Sequence, residues 1–127
     1  MTDQLKIQIY VVDDDPSVRQ ALGMLFLSAD MDVQTFERGK DFMNHEIKKK
    51  NACLITDIKM RGLSGFDLQD QLAQRGISIP IIFLTACDSR ETRQRAKQTG
   101  AIAYFRKPID DQALLDTIHW ALGKYEA

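Results

Sequence analysis

The chain has little of what would staple, charge or anchor a fold. It carries two cysteines in 127 residues, Cys53 within an apolar run and Cys87 just after another. That excludes a disulfide framework and suits a reducing compartment. The formal net charge is −1, so no global field draws this piece to nucleic acid or to a membrane surface. No apolar stretch is long enough to span a bilayer. The polar start, Met1-Thr2-Asp3-Gln4, lacks a signal-peptide pattern. A cytoplasmic location without membrane contact is expected. Repeats, low-complexity segments and internal linkers are also missing. What remains is 44% apolar and 28% charged, the balance of a globular chain. Its length fits one domain with a real core.

Four apolar runs end in polar residues. Ile9 to Val12 is followed by Asp13-Asp14-Asp15, and Cys53 to Thr56 by Asp57. Ile81 to Leu84 is followed by Thr85, and Ala103 to Arg106 by Lys107-Pro108. Continuous runs of this kind read as buried parallel strands. Helical patterns alternate with them. The first helix opens after Asp15, an N-cap, with Pro16 at its first position, and Val18, Ala21, Leu22, Leu25 and Ala29 keep helical spacing. The other helices are expected near 39–45, from Ser64 to a stop at Gly76, near 89–98, and after Pro108. Ser64 and Asp67 form a capping-box pattern. Asp110 and Asp111 fall in the first turn of the last helix, where negative charge is favoured. Strands are expected near 6–12, 32–36, 53–56, 80–84 and 102–106. Strand and helix alternating five times imply a flavodoxin-like doubly wound (βα)5 domain. Its parallel five-stranded sheet would have the order 2-1-3-4-5.

That order sets the first and third strands side by side, so Asp13, Asp14 and Asp57 meet at the switch point of the sheet. Clustered carboxylates raise one another's pKa unless a cation compensates. Mg²⁺ suits such a site, because it takes one or two carboxylates plus phosphate and water oxygens. Lys107 adds a fixed positive charge and Thr85 a hydroxyl. Phosphoryl transfer needs mainly positioning and electrostatic stabilisation, and a carboxylate can itself accept phosphorus as an acyl phosphate. One Asp at a strand end is usually a turn residue, and Asp15 before Pro16 is read that way. The joint order Asp-Asp, Asp, Thr, Lys-Pro is the informative pattern.

With these motifs in view, the chain resembles the receiver (CheY-like) domain of two-component response regulators. The likeness rests on Val11-Val12-Asp13-Asp14-Asp15, Thr56-Asp57-Ile58-Lys59-Met60, Ser64-Gly65, Leu84-Thr85-Ala86, Gly100-Ala101 and Lys107-Pro108. It covers about residues 5–123 of a single domain spanning 1–127. The stretch Cys53 to Leu72, with Ser64-Gly65-Phe66-Asp67-Leu68-Gln69, is most similar to receivers of FixJ-like transcriptional regulators, which usually carry a LuxR-type helix-turn-helix output domain not present in this chain. The resemblance implies that Asp57 accepts phosphate from a sensor histidine kinase. It implies that Asp14 binds Mg²⁺ directly, Asp13 through water, and the Lys59 backbone carbonyl as a further ligand. Lys107 would pair with the phosphoryl oxygens and Thr85 would move to bond them. Tyr104 would be an aromatic switch, and the Lys107-Pro108 bond would be cis. Phosphorylation would promote homodimerisation through the fourth helix, fifth strand and fifth helix. DNA would be reached only through an output domain.

Two features depart from the family pattern. Met60-Arg61-Gly62 replaces Met-Pro-Gly, so the loop after Asp57 loses a fixed φ. Lys59 stands two residues after the acceptor and is free to face the mouth of the site. The fourth helix has one plainly apolar residue, Ala96, which predicts weak packing and mobility. Trp120 lies opposite the Leu114, Ile118 and Leu122 stripe and is expected to be partly exposed. His45 and His119 read as surface residues, Lys48-Lys49-Lys50 as capping a helix end and loop, and Arg90, Arg93, Arg95 and Lys97 as a solvated face.

The chain is expected to be a signalling input, not an enzyme with a separate substrate, although it would assist its own phosphorylation and hydrolysis. A stand-alone receiver or phosphorelay intermediate is the near alternative. A haloacid-dehalogenase-type phosphatase needs Asp-x-Asp and a cap domain. Asp13 and Asp15 imitate the pair, but Pro16 and the short chain oppose it. A flavin binder needs a Ser-, Thr- or Gly-rich phosphate loop after the first strand, where this chain is acidic.

Overall fold

A computed structural model describes residues 6–126, with side chains to residue 123. Five strands alternate with five helices. They are β1 (Gln8–Val12), α1 (Pro16–Ser28), β2 (Asp32–Phe36), α2 (Gly39–Met43), β3 (Ala52–Asp57), α3 (Gly65–Gln74), β4 (Ile81–Thr85), α4 (Arg90–Gln98), β5 (Ala103–Arg106) and α5 (Asp111–Glu126). The sheet is parallel throughout, in the order β2-β1-β3-β4-β5. This is the doubly wound fold expected from the sequence. The register pairs Val12 with Thr56, so one residue further along both strands come Asp13 and Asp57.

Alternate strand residues feed two cores, because successive side chains point to opposite faces. Tyr10, Val12, Leu54 and Phe83 meet Phe42 and Met43 of α2, Phe66, Leu68 and Leu72 of α3, and Ala96 of α4. On the other face, Ile9, Val11, Ile55, Ile82 and Leu84 meet Leu22 and Phe26 of α1 and Leu114, Ile118 and Leu122 of α5. All six residues of β3 are buried. A buried Leu or Phe contributes about 1.5–3 kcal/mol. By that measure α4, whose buried residue is Ala96, is the least secured helix.

Helix ends follow the sequence signals. The Ser17 N–H and hydroxyl both donate to Asp15 Oδ1, at 2.9 and 2.7 Å, and these bonds hold the Asp15 carboxyl below its usual range. Ser64 and Asp67 close a reciprocal capping box at 3.1 and 2.9 Å; such caps typically contribute about 1 kcal/mol. Gly76, at φ 71°, ends the α3 segment in the left-handed conformation that glycine adopts without strain.

Some boundaries move. β1 starts at Gln8, where pairing to both neighbours begins. β3 includes Ala52 and Asp57. α2 stops at Met43 with Asn44 as its C-cap. His45 is half-buried, a correction to the surface reading: its ring meets those of Tyr10 and Phe36. Asp110 precedes α5 and caps it, accepting from the Ala113 N–H at 3.0 Å. Trp120 is 57% exposed, as expected. Among the described residues, no helix is long and apolar enough to cross a membrane.

Candidate functional site

The site forms where β1, β3, β4 and β5 end on one rim. Asp13 is fully buried and Asp57 nearly so, while Asp14 is half-buried. One carboxylate oxygen from each lies within 4.8 Å of the others. Lys107 reaches in from beyond β5, its Nζ 2.8 Å from Asp13 Oδ2 and 3.2 Å from Asp57 Oδ2. The backbone positions it, since its N–H donates to the Thr85 carbonyl at 2.8 Å. The Lys107-Pro108 bond is cis.

Three of the four polar atoms of Asp13 are hydrogen-bonded. Its N–H donates to the Phe36 carbonyl at 3.1 Å. Its Oδ1 accepts from the Asp15 N–H at 2.9 Å. Its carbonyl accepts from Arg19 Nη1 at 2.7 Å. The Lys107 ammonium meets Oδ2 as a close charge contact, off the direction of a formed hydrogen bond. That buried oxygen keeps capacity for a further partner.

Opposing influences act on the titrating groups. Burial pushes the Asp57 carboxyl above its usual range and the Asp13 charge adds to this, with Lys107 opposing both. For Lys107, burial pulls downward, but Asp13 and Asp57 outweigh it and the ammonium is held above its ordinary range. Three carboxylates, one of which has a buried oxygen without a directed partner, fit a hard divalent cation such as Mg²⁺.

Both expected switch residues face the loop between β4 and α4. The Thr85 hydroxyl accepts from the Cys87 N–H and donates to the Cys87 carbonyl, each at 3.0 Å. The Tyr104 hydroxyl donates to Asp88 Oδ1 at 3.1 Å, and Arg93 Nε lies 3.4 Å from the same oxygen. Lys59 is exposed. With Met60, Glu91 and Arg95 it lines a cleft between the loop after Asp57 and α4. In that cleft the Arg95 guanidinium lies 4.3 Å from the centre of the Phe66 ring, so Arg95 is more than a solvated charge. Cys53 is buried and its thiol is pushed up to about 12, whereas Cys87 is exposed.

The structure thus brings together Asp13, Asp14, Asp57 and Lys107, with Thr85 on the neighbouring strand end. Tyr104 stands apart, directed at Asp88. Sequence reading missed Arg19 and Asp88. Their chemistry depends on which backbone or ring they meet, and nothing in local spacing announces it.

The chain belongs to the response regulator receiver domain family, whose model matches residues 9–119. Among curated proteins it is 40% identical over 115 residues to the transcriptional regulatory protein TdiR of Thauera aromatica, covering 91% of this chain and 51% of that protein. It is 29% identical over 118 residues to the transcriptional regulatory protein FixJ of Azorhizobium caulinodans, covering 93% and 56%. Among solved structures, the response regulator StyR is 42% identical with a TM-score of 0.85, over 93% of this chain and 60% of that one. The chain spans about half the length of the curated relatives it matches.

Proposed function

We propose that this receiver domain is a phosphorylation-driven switch that takes a phosphoryl group from a sensor histidine kinase onto Asp57. The observation that carries the reading is the Lys107 ammonium set between two buried carboxylates, within 3.2 Å of the acceptor. In the transfer, an Asp57 oxygen attacks phosphorus and the bond from phosphorus to the donor's imidazole nitrogen breaks. The imidazole leaves with the bonding pair and is protonated from water, and Asp57 becomes an acyl phosphate. Lys107 faces the phosphoryl oxygens and balances their charge. Asp14 and Asp57, the Lys59 carbonyl, and Asp13 through water are the residues that would hold Mg²⁺. When bound, the ion supplies positive charge against the same oxygens.

The output follows from the two tethered side chains. Thr85 leaves Cys87 to bond the phosphoryl group, and Tyr104 leaves Asp88 and turns inward. These movements alter the face made by α4, β5 and α5, where a second copy would dock. The relatives are transcriptional regulators of about twice this length, so control of transcription through a helix-turn-helix domain in a longer protein is the proposed readout. The receiver turns over no separate substrate. It assists only its own phosphorylation and hydrolysis.

The test is intact mass after incubation with a small phosphodonor and Mg²⁺, beside Asp57→Asn. A single phosphoryl gain that disappears in the variant and without Mg²⁺ is expected. No gain, or equal gain in the variant, would overturn the assignment.

A further inference from the structure

The geometry points to Arg19 as a positioning residue for cation binding, acting through the peptide that joins Asp13 to Asp14. This inference rests on the Mg²⁺ reading of the acidic trio. Three contacts to Asp13 come from the sheet and the site itself: the Phe36 carbonyl, the Asp15 N–H and the Lys107 ammonium. The fourth comes from the first turn of α1, where Arg19 reaches back to the Asp13 carbonyl at 2.7 Å. A hydrogen bond from an ionised donor is shorter and stronger than a neutral one, and Arg19 is half-buried. The peptide unit is planar. Fixing the Asp13 oxygen therefore fixes the plane in which the Asp14 nitrogen leaves, and so the direction in which the chain carries the Asp14 carboxylate. The Asp15 N–H bond to Asp13 Oδ1 closes the same short segment from its other side. Arg19 and Asp15 together hold the tripeptide that supplies two of the three carboxylates.

Arg19 also carries a positive charge near the acidic trio, and the two roles have opposite signs. A guanidinium acting only as a charge repels a divalent cation, so its removal tightens binding. A guanidinium acting as an anchor for the Asp13–Asp14 peptide favours binding, so its removal weakens it. The positioning role predicts that Arg19→Ala binds Mg²⁺ more weakly despite losing a like charge.

The experiment is calorimetric Mg²⁺ titration of the wild type, Arg19→Ala and Arg19→Lys. It is paired with amide exchange of Asp14 and Asp15 in metal-free protein. Arg19→Ala should lose about tenfold in affinity, the low end for a group that supports a metal ligand. Its Asp14 and Asp15 amides should exchange faster while those of β3 keep their wild-type rates. Arg19→Lys, which keeps the charge and a shorter donor, should fall between the two. If Arg19→Ala does not fold, weakened binding in Arg19→Lys carries the same expectation. Equal or tighter binding in the alanine variant would overturn the positioning role alone. A wild type that binds no Mg²⁺ would overturn the metal reading and this role with it.

Discussion

Lys107 and Asp57 stand 3.2 Å apart, yet the Asp57 carboxyl is pushed above its ordinary range. Burial and the Asp13 charge outweigh the lysine. A raised carboxyl pKa stabilises the fold while the group is protonated, below its ordinary value of 3.8. That contribution is lost as pH rises through the folded-state value. Ionised Asp57 therefore costs stability at neutral pH. Asp57→Asn should melt a few degrees higher than the wild type at neutral pH without Mg²⁺, and the gap should close in acid. Thermal melts at both pH values check this, and an equal or lower neutral melting point in the variant would contradict it.

Asp88 holds the Tyr104 hydroxyl outward at 3.1 Å. A net hydrogen bond contributes about 0.5–1.5 kcal/mol, and the exposed setting favours the lower end. Asp88→Ala should free Tyr104 and speed phosphorylation from a small donor by about twofold to fivefold at that strength. Tyr104→Phe, which loses the same bond, should behave alike. Mass-resolved time courses with wild-type rates in both variants would remove the tether from the account.

Gly65 opens α3 against the end of β3. A Cβ there would lie 2.6 Å from the Asp57 carbonyl oxygen and 3.2 Å from both Ile58 Cα and the Phe83 ring. Alanine is the better helix former by about 0.8–1 kcal/mol, but overpacking against backbone costs about 1–3 kcal/mol. The clash should win. Gly65→Ala should be less stable in urea and should accept phosphate more slowly, because the displaced carbonyl belongs to Asp57. Unchanged stability and rate would show that the loop yields without cost.

Helix α4 is secured by Ala96, by Arg95 over Phe66 at 4.3 Å, and by the Gln69 amide, which donates to the Thr99 carbonyl at 3.0 Å. An exposed cation–π contact contributes about 0.5–1 kcal/mol. Amides of 94–98 should exchange faster than those of β3, and Arg95→Ala should speed them by about a further twofold to fivefold on the same estimate. Core-like protection of α4 would refute its weak attachment.

Much of this was legible in the sequence because the fold announces itself at strand ends. Apolar runs closing on Asp13, Asp57, Thr85 and Lys107 gave strand order, rim and site together, and Ser64, Asp67 and Gly76 marked helix ends by local chemistry. What escaped depends on tertiary contact. Arg19 is an ordinary helix arginine until α1 packs beside β1. His45 is an isolated histidine until rings from β1 and β2 surround it. Asp88 meets Tyr104 across 16 residues of chain. Helix and strand limits moved by a residue or two, within the usual fraying of element ends.

The contrast between β3 and α4 bears on how such a chain tolerates change. Every β3 side chain is enclosed, so substitutions there meet a packed interior and few alternatives fit. Eight of the nine α4 residues lie outside the core, and exposed substitutions usually move stability by no more than about 0.5 kcal/mol. Substitutions can therefore accumulate on that helix one residue at a time, while the packed strand and the acidic rim behind it stay as they are.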